Sequence, residues 1–291
     1  MENLTIIIPA FNEESGIGET LKILEPYANK NSWKVFVVND GSLDKTKNIV
    51  AELDFVELLN HKVNRGYGAS LKTGINNCKT KYLAFYDADG QHKPEDLERL
   101  WTEYDDEDMI VGQRIKGSHI SVSRTPGKFV LSMVANFLSG QKIPDLNSGL
   151  RIVKRDIIEK YLHLFPDGFS FSTTSTIALL SNRHVVSYKP IQTNKRIGKS
   201  SVNQFRDGFN TILLILRLIV LFNPLKVFLP SSFFLLFVGT TYEIIWGYIL
   251  SPHLRLLPGA LMTILTGIII FFFALIMDQI SQLRKNSIQK N

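Results

Sequence analysis

Tyr82-Leu83-Ala84-Phe85-Tyr86-Asp87-Ala88-Asp89-Gly90-Gln91-His92 is the stretch from which the fold is read. Residues 82–86 have the length and the aromatic and apolar content of a buried strand. The run stops at two carboxylates separated by one small residue. The same pattern recurs along the chain. Residues 4–8 form a β-branched run ending at Pro9, 34–38 end at Asn39-Asp40-Gly41-Ser42, 55–59 form a third run and 109–111 a fifth. Helical patterns lie between them. Ile17, Leu21 and Leu24 follow Ser15-Gly16, Asp44 stands as a cap before Ile49, Val50 and Leu53, and a glycine-rich loop enters a helix over 66–77. Strands alternating with helices predict an α/β fold with a Rossmann-like, mostly parallel sheet covered on both faces. In such sheets ligands bind beyond the carboxyl ends of the strands, and the polar clusters 9–13, 39–42 and 87–91 each follow a strand directly. Together they favour a nucleotide-type site; any one of them alone reads as ordinary loop composition.

The C-terminal part differs in character. Residues 209–222 give an apolar stretch of about 14 residues interrupted by Arg217, short for a span and suited to an interfacial helix. Residues 227–250 are long enough to span a bilayer although Glu243 lies inside, and 257–277 carry no charge at all. Glu243 has two readings, a partner for a polar group of the other helix or a side chain that reaches the interface. Lys195, Arg196, Lys199, Arg206 and Lys226 precede the first span, and Arg284, Lys285 and Lys290 follow the second. The connecting loop holds only Arg255 and His253. The positive-inside rule therefore predicts a multi-pass membrane protein with its head and tail in the cytoplasm. The expected domains are a head over 1–205, a juxtamembrane segment over 206–226, and a two-helix membrane region with a basic tail over 227–291.

Composition adds bounds. The 291 residues include 33 Lys and Arg against 27 Asp and Glu, a net charge of +6 that suits anionic lipid or a phosphate substrate but is shared by many proteins without such partners. No nucleic-acid partner is expected. Cys78 is the only cysteine, which excludes an intramolecular disulfide and a cysteine-based metal site and is compatible with a reducing compartment. The first residues do not read as a signal peptide, since the apolar run 4–8 is too short. None of His61, His92, His119, His163, His184 and His253 shows metal-ligand spacing.

The chemistry centres on Asp87 and Asp89. Two carboxylates just past a strand end can converge on one hard divalent cation, Mg2+ or Mn2+, and bridge it to a diphosphate, with Gln91 beside them. Arg114, Arg124, Lys128, Arg151, Arg196 and Lys199 are candidates to bring anionic groups together, or else form a solvated basic face near lipid headgroups. Lys62 and Asn64-Arg65-Gly66 contact donor phosphates or make a simple turn.

Taken in order, Pro9-Ala10-Phe11-Asn12-Glu13, Val38-Asn39-Asp40-Gly41-Ser42, Asn64-Arg65-Gly66-Tyr67-Gly68 and Asp87-Ala88-Asp89-Gly90-Gln91 resemble the motifs of family 2 glycosyltransferases, which have a GT-A fold. Asp145-Leu146-Asn147-Ser148-Gly149-Leu150-Arg151 and Arg196-Ile197-Gly198-Lys199-Ser200-Ser201 are similar to motifs of the dolichyl-phosphate mannose synthase and bacterial polyprenyl-phosphate glycosyltransferase branch. The resemblance covers roughly the first 205 residues, and the C-terminal spans match membrane-anchored members.

The resemblance implies inverting transfer of a sugar from a UDP- or GDP-sugar to undecaprenyl or dolichyl phosphate, at a membrane, with possible self-association. It places the donor against Pro9, Ala10, Phe11, Glu13, Asn39, Asp40, Gly66, Asp87, Ala88 and Asp89. The metal falls on Asp87, Asp89 and Gln91, and the phosphates on Arg114, Arg124 and Arg196. Asp145, Asp89 and Arg196 are the implied catalytic residues, with Asp145 near the reacting centre; its other reading is a cap of the turn at Asn147-Ser148-Gly149. Asn39 stands where the family's second motif usually begins with Asp, and the stretch 169–174 lacks the family's usual acidic residue. The rival readings are a processive polysaccharide synthase and an inactive nucleotide-sugar-binding scaffold. The first expects Gln-x-x-Arg-Trp, and none of Trp33, Trp101 and Trp246 follows Arg. The second draws on Asn39 alone.

Overall fold

The computed structural model describes residues 3–115, 126–168, 170–197, 204–249 and 257–290, with 126–128, 204–209, 211–212 and 284–290 traced as backbone. In chain order the head contains β1 (Leu4–Ala10), α1 (Ile17–Asn31), β2 (Lys34–Asn39), α2 (Thr46–Ala51), β3 (Val56–Asn60), α3 (Tyr67–Asn77), β4 (Tyr82–Phe85) and α4 (Pro94–Thr102). It continues with β5 (Met109–Arg114), α5 (Pro126–Ser139), β6 (Arg151–Lys154), α6 (Arg155–Tyr161), α7 (Phe171–Ser181) and β7 (Val186–Ile191). Then come α8 (Gln204–Phe222), α9 (Pro224–Tyr242), a π-helical segment Glu243–Ile249 and α10 (Pro258–Lys290).

The strands form one sheet in the order β3-β2-β1-β4-β6-β5-β7, in which β6 alone runs against the rest. A sheet covered on both faces demands strands apolar on both sides. β1 meets the demand: Leu4, Ile6, Ile7 and Ile8 are fully buried. Ile6 and Ile8 share a core with Ile17, Leu21 and Leu24 of α1 and Leu97 and Leu100 of α4. On the opposite side Phe85 of β4 packs edge-on against Phe171 of α7, with centroids 5.8 Å apart.

Register brings the site together. Ala10 pairs with Asn39 and Asn39 with Asn60, so the loops after β1, β2 and β3 leave the sheet level with one another. The run expected to stop at Pro9 continues through it, Pro9 pairing with Val38. β6 has the decisive direction. Being antiparallel, it places Arg151 opposite Phe85 at the carboxyl end of β4, so the segment that precedes β6 joins the same edge. The alternation pattern does not foresee β6 or β7. β6 is four residues with a basic residue at each end, and β7 carries Lys189 and Pro190 as an edge strand.

The chain divides into two compact units, Met1–Asn210 and Thr211–Asn291, with the boundary inside α8. In the second unit, Pro224–Ile249 and Pro258–Leu283 are each 26 residues long and apolar enough to cross a bilayer. A core helix of this composition would be covered by its own chain, whereas Phe234, Phe237 and Ile269 are about two-thirds exposed (65–69%). Small residues let the two helices approach. A Cβ on Gly239 would lie 2.7 Å from Ile264 Cγ1, and Ser232 Oγ donates to the Gly267 carbonyl at 2.9 Å. Glu243 Oε2 accepts the Leu257 amide at 3.1 Å, so this carboxylate caps the entry to α10.

Gly239→Leu should force the hairpin apart and lower the melting temperature of the full chain in detergent, with an overpacking cost of about 1–3 kcal/mol. Gly259→Ala, whose Cβ would meet only Tyr242 at 3.7 Å, is the control. Equal melting of both variants would contradict the close crossing.

Candidate active site

The loops after β1 and β2 are zipped to each other. Asn12, at φ 53°, donates its amide to Ser42 Oγ at 3.0 Å, and its Oδ1 accepts the Leu43 amide at 2.8 Å. The Glu13 amide donates to Thr46 Oγ1 at 2.9 Å, and Asp44, one residue before the Lys45 that caps α2, accepts the Thr46 amide at 3.0 Å. Asn39 has an internal role: its Nδ2 donates to Asn60 Oδ1 at 3.0 Å and its Oδ1 accepts the Ser42 amide at 3.2 Å. A side chain that both donates and accepts suits this place. The Asp40 carboxylate is also turned inward, accepting from the amides of Arg65 (2.9 Å) and Gly66 (2.8 Å). Phe11 remains 39% exposed at the mouth of these loops.

Asp87 and Asp89 follow β4, whose line Tyr86 prolongs by donating its amide to the Ile7 carbonyl. Asp87 is held at both oxygens, by the Tyr67 hydroxyl at 3.1 Å and by His92 Nε2 at 3.1 Å. Gly149, in the segment that β6 brings in, leaves room for it: a Cβ there would lie 2.1 Å from Asp87 Oδ2. Burial would raise the Asp87 carboxyl, but the hydrogen bond and field of His92, the Tyr67 hydroxyl and Arg114 outweigh it and hold the group below the usual carboxylate range. Asp89 is raised, by burial and then by the charge of Asp87. Its Oδ1 accepts the Gln91 amide at 3.2 Å, and its Oδ2 lies 3.7 Å from Arg196 Nε. Glu13 is raised as well, by burial and by both aspartates, although Arg196 Nη2 donates to it at 2.6 Å.

These facts test the fit of a cation. The oxygens are hard ligands, the carboxylates repel one another, and Arg196 Nε is buried without a hydrogen-bond partner. Among the described residues no cluster of three or more His, Cys, Asp and Glu could hold a metal alone. The donor set therefore fits a divalent cation that takes its remaining ligands from a bound anion or water.

Asp145 is clasped by Arg114, whose Nε and Nη2 donate to its two oxygens at 2.7 and 2.8 Å. It also accepts the Asn147 amide at 3.2 Å, so the turn-capping reading holds alongside the ion pair. Burial would raise the Asp145 carboxyl, and the Arg114 bonds and charge hold it low instead. Arg151 corrects an expectation. It is fully buried, with five hydrogen bonds to the carbonyls of Leu146, Ser148 and Ser172 and the hydroxyls of Ser175 and Thr176. No face of it is open to a phosphate; it fastens the 146–148 segment to α7. Phe171 and Thr174 in the first turn of α7 are buried likewise. Arg124 and Lys199 lie outside the described residues, as does the side chain of Lys128.

The structure thus brings Glu13, Asp87, Asp89 and Arg196 together and gathers Arg114 with Asp145 nearby. Gln91 takes part through its backbone, its carbonyl accepting the Asn194 amide at 2.9 Å. Sequence reading missed His92, Tyr67 and Gly149. His92 stands five residues after the carboxylate it touches, a spacing that matches no metal-ligand pattern.

Gly149→Ala should displace Asp87 and lower catalytic activity at least about tenfold while the head stays folded by circular dichroism; wild-type activity would contradict the geometry. Asp145→Asn tests the Arg114 clasp. The carboxylate is depressed in the folded state, so its contribution is complete above the unfolded value of about 3.9 and is lost as pH falls through the lower folded value. Urea unfolding should show the variant less stable by about 2 kcal/mol at neutral pH, the gap shrinking below about pH 4. A gap independent of pH would refute the ionic account.

Residues 5–162 carry the signature of Glycosyl transferase family 2, and residues 223–283 that of the GtrB C-terminal hairpin. An uncharacterized protein of Methanocaldococcus jannaschii, MJ1222, is 34% identical over 204 residues, covering 66% of this chain and 82% of its own. The UDP-N-acetylglucosamine–dolichyl-phosphate N-acetylglucosaminyltransferase of Methanococcus voltae is 28% identical over 179 residues, covering 53% of this chain and 70% of its own. The chain spans about half (49–57%) of the length of further relatives, among them a dolichyl-phosphate glucosyltransferase of Trichomonas vaginalis and an undecaprenyl-phosphate sugar transferase of Pseudomonas fluorescens. Among solved structures, glucosyl-3-phosphoglycerate synthase of Mycobacterium tuberculosis with Mn2+, UDP-glucose and phosphoglyceric acid has a TM-score of 0.60 and 14% identity over 75% of this chain and 80% of that one, a likeness of fold. With its sheet, its acidic pair and a signature over more than half its length, the chain belongs to glycosyl transferase family 2.

Proposed function

We propose that this glycosyltransferase moves a sugar from a nucleoside diphosphate donor, UDP- or GDP-linked, onto a polyprenyl phosphate, dolichyl or undecaprenyl, at the cytoplasmic surface of a membrane. The observation that carries the reading is the Asp87–Asp89 pair at the end of β4, in a family 2 chain that continues into two bilayer-length helices. The named relatives that act on dolichyl or undecaprenyl phosphate support the acceptor class. Residues 1–205 form the catalytic region, 206–226 the juxtamembrane stretch and 227–291 a two-pass hairpin with a basic tail. Pro9, Ala10 and Phe11 flank the base and ribose.

Asp87 and Asp89 would hold Mg2+ or Mn2+, which when bound offsets charge on the departing diphosphate. The protein's own part is electrostatic. The phosphate acceptor is already anionic near neutral pH, with a second pKa of about 6, so its oxygen attacks without a strong base. The bond from that oxygen to the anomeric carbon forms as the bond to the donor diphosphate breaks, which inverts configuration in one step. Asp145, ionised and clasped by Arg114, has no proton to give; it orients the guanidinium toward an anion. Arg196 reaches both Glu13 and Asp89, bringing a fixed positive charge to the acidic pair.

Membranes carrying the protein, supplied with radiolabelled UDP- and GDP-sugars and polyprenyl phosphate, should put label into extractable lipid. EDTA should abolish the label, and Asp89→Ala should reduce it by at least about 100-fold. Label that survives chelator and Asp89→Ala would sink the metal assignment, and absence of label from every donor would sink the acceptor class.

A further inference from the structure

His61 is buried beside the site and takes no part in the reading above, on which the following rests. Its Nδ1 lies 2.6 Å from Asp40 Oδ1 and its Nε2 lies 2.8 Å from Thr73 Oγ1 of α3. Both side chains of the His61–Asp40 pair are about 5% exposed or less. A neutral ring satisfies both contacts, Nδ1–H donating to the carboxylate and Nε2 accepting the Thr73 hydroxyl. The Asp40 oxygens also collect the amides of Arg65 and Gly66. Gly66 has little freedom to adapt, since it sits at φ 104° and a Cβ on it would lie 2.5 Å from the Asp167 carbonyl. It immediately precedes Tyr67, the first residue of α3, whose hydroxyl holds Asp87. An unbroken series of contacts therefore runs from Thr73 through His61, Asp40 and Gly66 to Tyr67 and Asp87.

We propose that His61 is a positioning residue for sugar transfer: through Asp40 it fixes the start of α3, so that the Tyr67 hydroxyl holds the Asp87 carboxylate in place for the cation and diphosphate. It touches neither substrate nor reacting atoms. The inverse view, in which the His61–Asp40 pair merely stabilises the fold, makes a different prediction for a double-mutant cycle. If His61 acts through Tyr67, removing the Tyr67 hydroxyl leaves His61 little more to contribute.

The experiment is that cycle in the full-length protein in detergent. His61→Ala and Tyr67→Phe are each measured for kcat and donor KM, for calorimetric binding of Mn2+ with UDP or GDP, and for melting temperature. Each single variant should lower kcat/KM by about tenfold, with weaker Mn2+ binding, and the double variant should fall no more than about twofold below the lower single. Multiplying losses, or Mn2+ binding unchanged in His61→Ala, would overturn the proposal. Should His61→Ala fail to fold, two isosteres carry the test. His61→Asn keeps a donor where Nδ1 stands and should stay within about threefold of wild type, while His61→Gln, which loses it, should not. Equal activities of the two would overturn the proposal. Asp87→Ala separates the layers: if it retains Mn2+ binding and transfer, the cation assignment fails, whereas loss of both beside a multiplicative cycle rejects His61 alone.

Discussion

Asp87 is fixed from three directions at once. The Tyr67 hydroxyl and the His92 ring each hold one oxygen, and the missing side chain of Gly149 leaves the space the carboxylate fills. Its neighbours keep this carboxylate from wandering and hold it below the usual carboxylate range. Asp89, two residues on, is pushed the other way by burial and by Asp87 itself. If the pair takes the cation proposed above, one ionised, immobile carboxylate and one whose charge is costly would make a site that gains most when the cation comes with its own anion.

That arrangement depends on the single antiparallel strand. Had β6 run parallel, its carboxyl end would face the site and residues 145–150 would lie at the opposite edge of the sheet. Run the other way, it delivers Asp145 to Arg114 and Gly149 to Asp87. Arg151, the first residue of β6, is then a structural cation, its buried guanidinium fully engaged by the carbonyls and hydroxyls around it. Asn39, the last residue of β2, makes the matching point. Its amide bridges Asn60 and Ser42, so its departure from the family's usual Asp says nothing against an active site.

Sequence reading reached strands β1 to β5 and the acidic pair because both are local: a strand is a short apolar run, and Asp87-Ala88-Asp89 follows one directly. It failed where meaning comes from partners far along the chain. Arg151 and Arg114 look alike in sequence, yet one is sealed among Ser172, Ser175 and Thr176 and the other forks onto Asp145 at the edge of the site. His61 and His92 looked bland because neither has metal-ligand spacing. Their partners are carboxylates, one 21 residues upstream and the other five residues before it. Glu243 had two readings until the amide of Leu257 was found on its carboxylate.

The pairing of Asp145 with Arg114 bears on what kind of nucleophile the site can serve. An alcohol acceptor must lose a proton as it attacks, and a general base works best with a pKa near the operating pH. Asp145 is driven away from that range by Arg114, and Asp87 is driven away from it by His92, Tyr67 and Arg114. Glu13 and Asp89 are raised, but Arg196 lies against both. What the described site offers in quantity is fixed charge, and fixed charge suits an acceptor that arrives already ionised, as a phosphate monoester does.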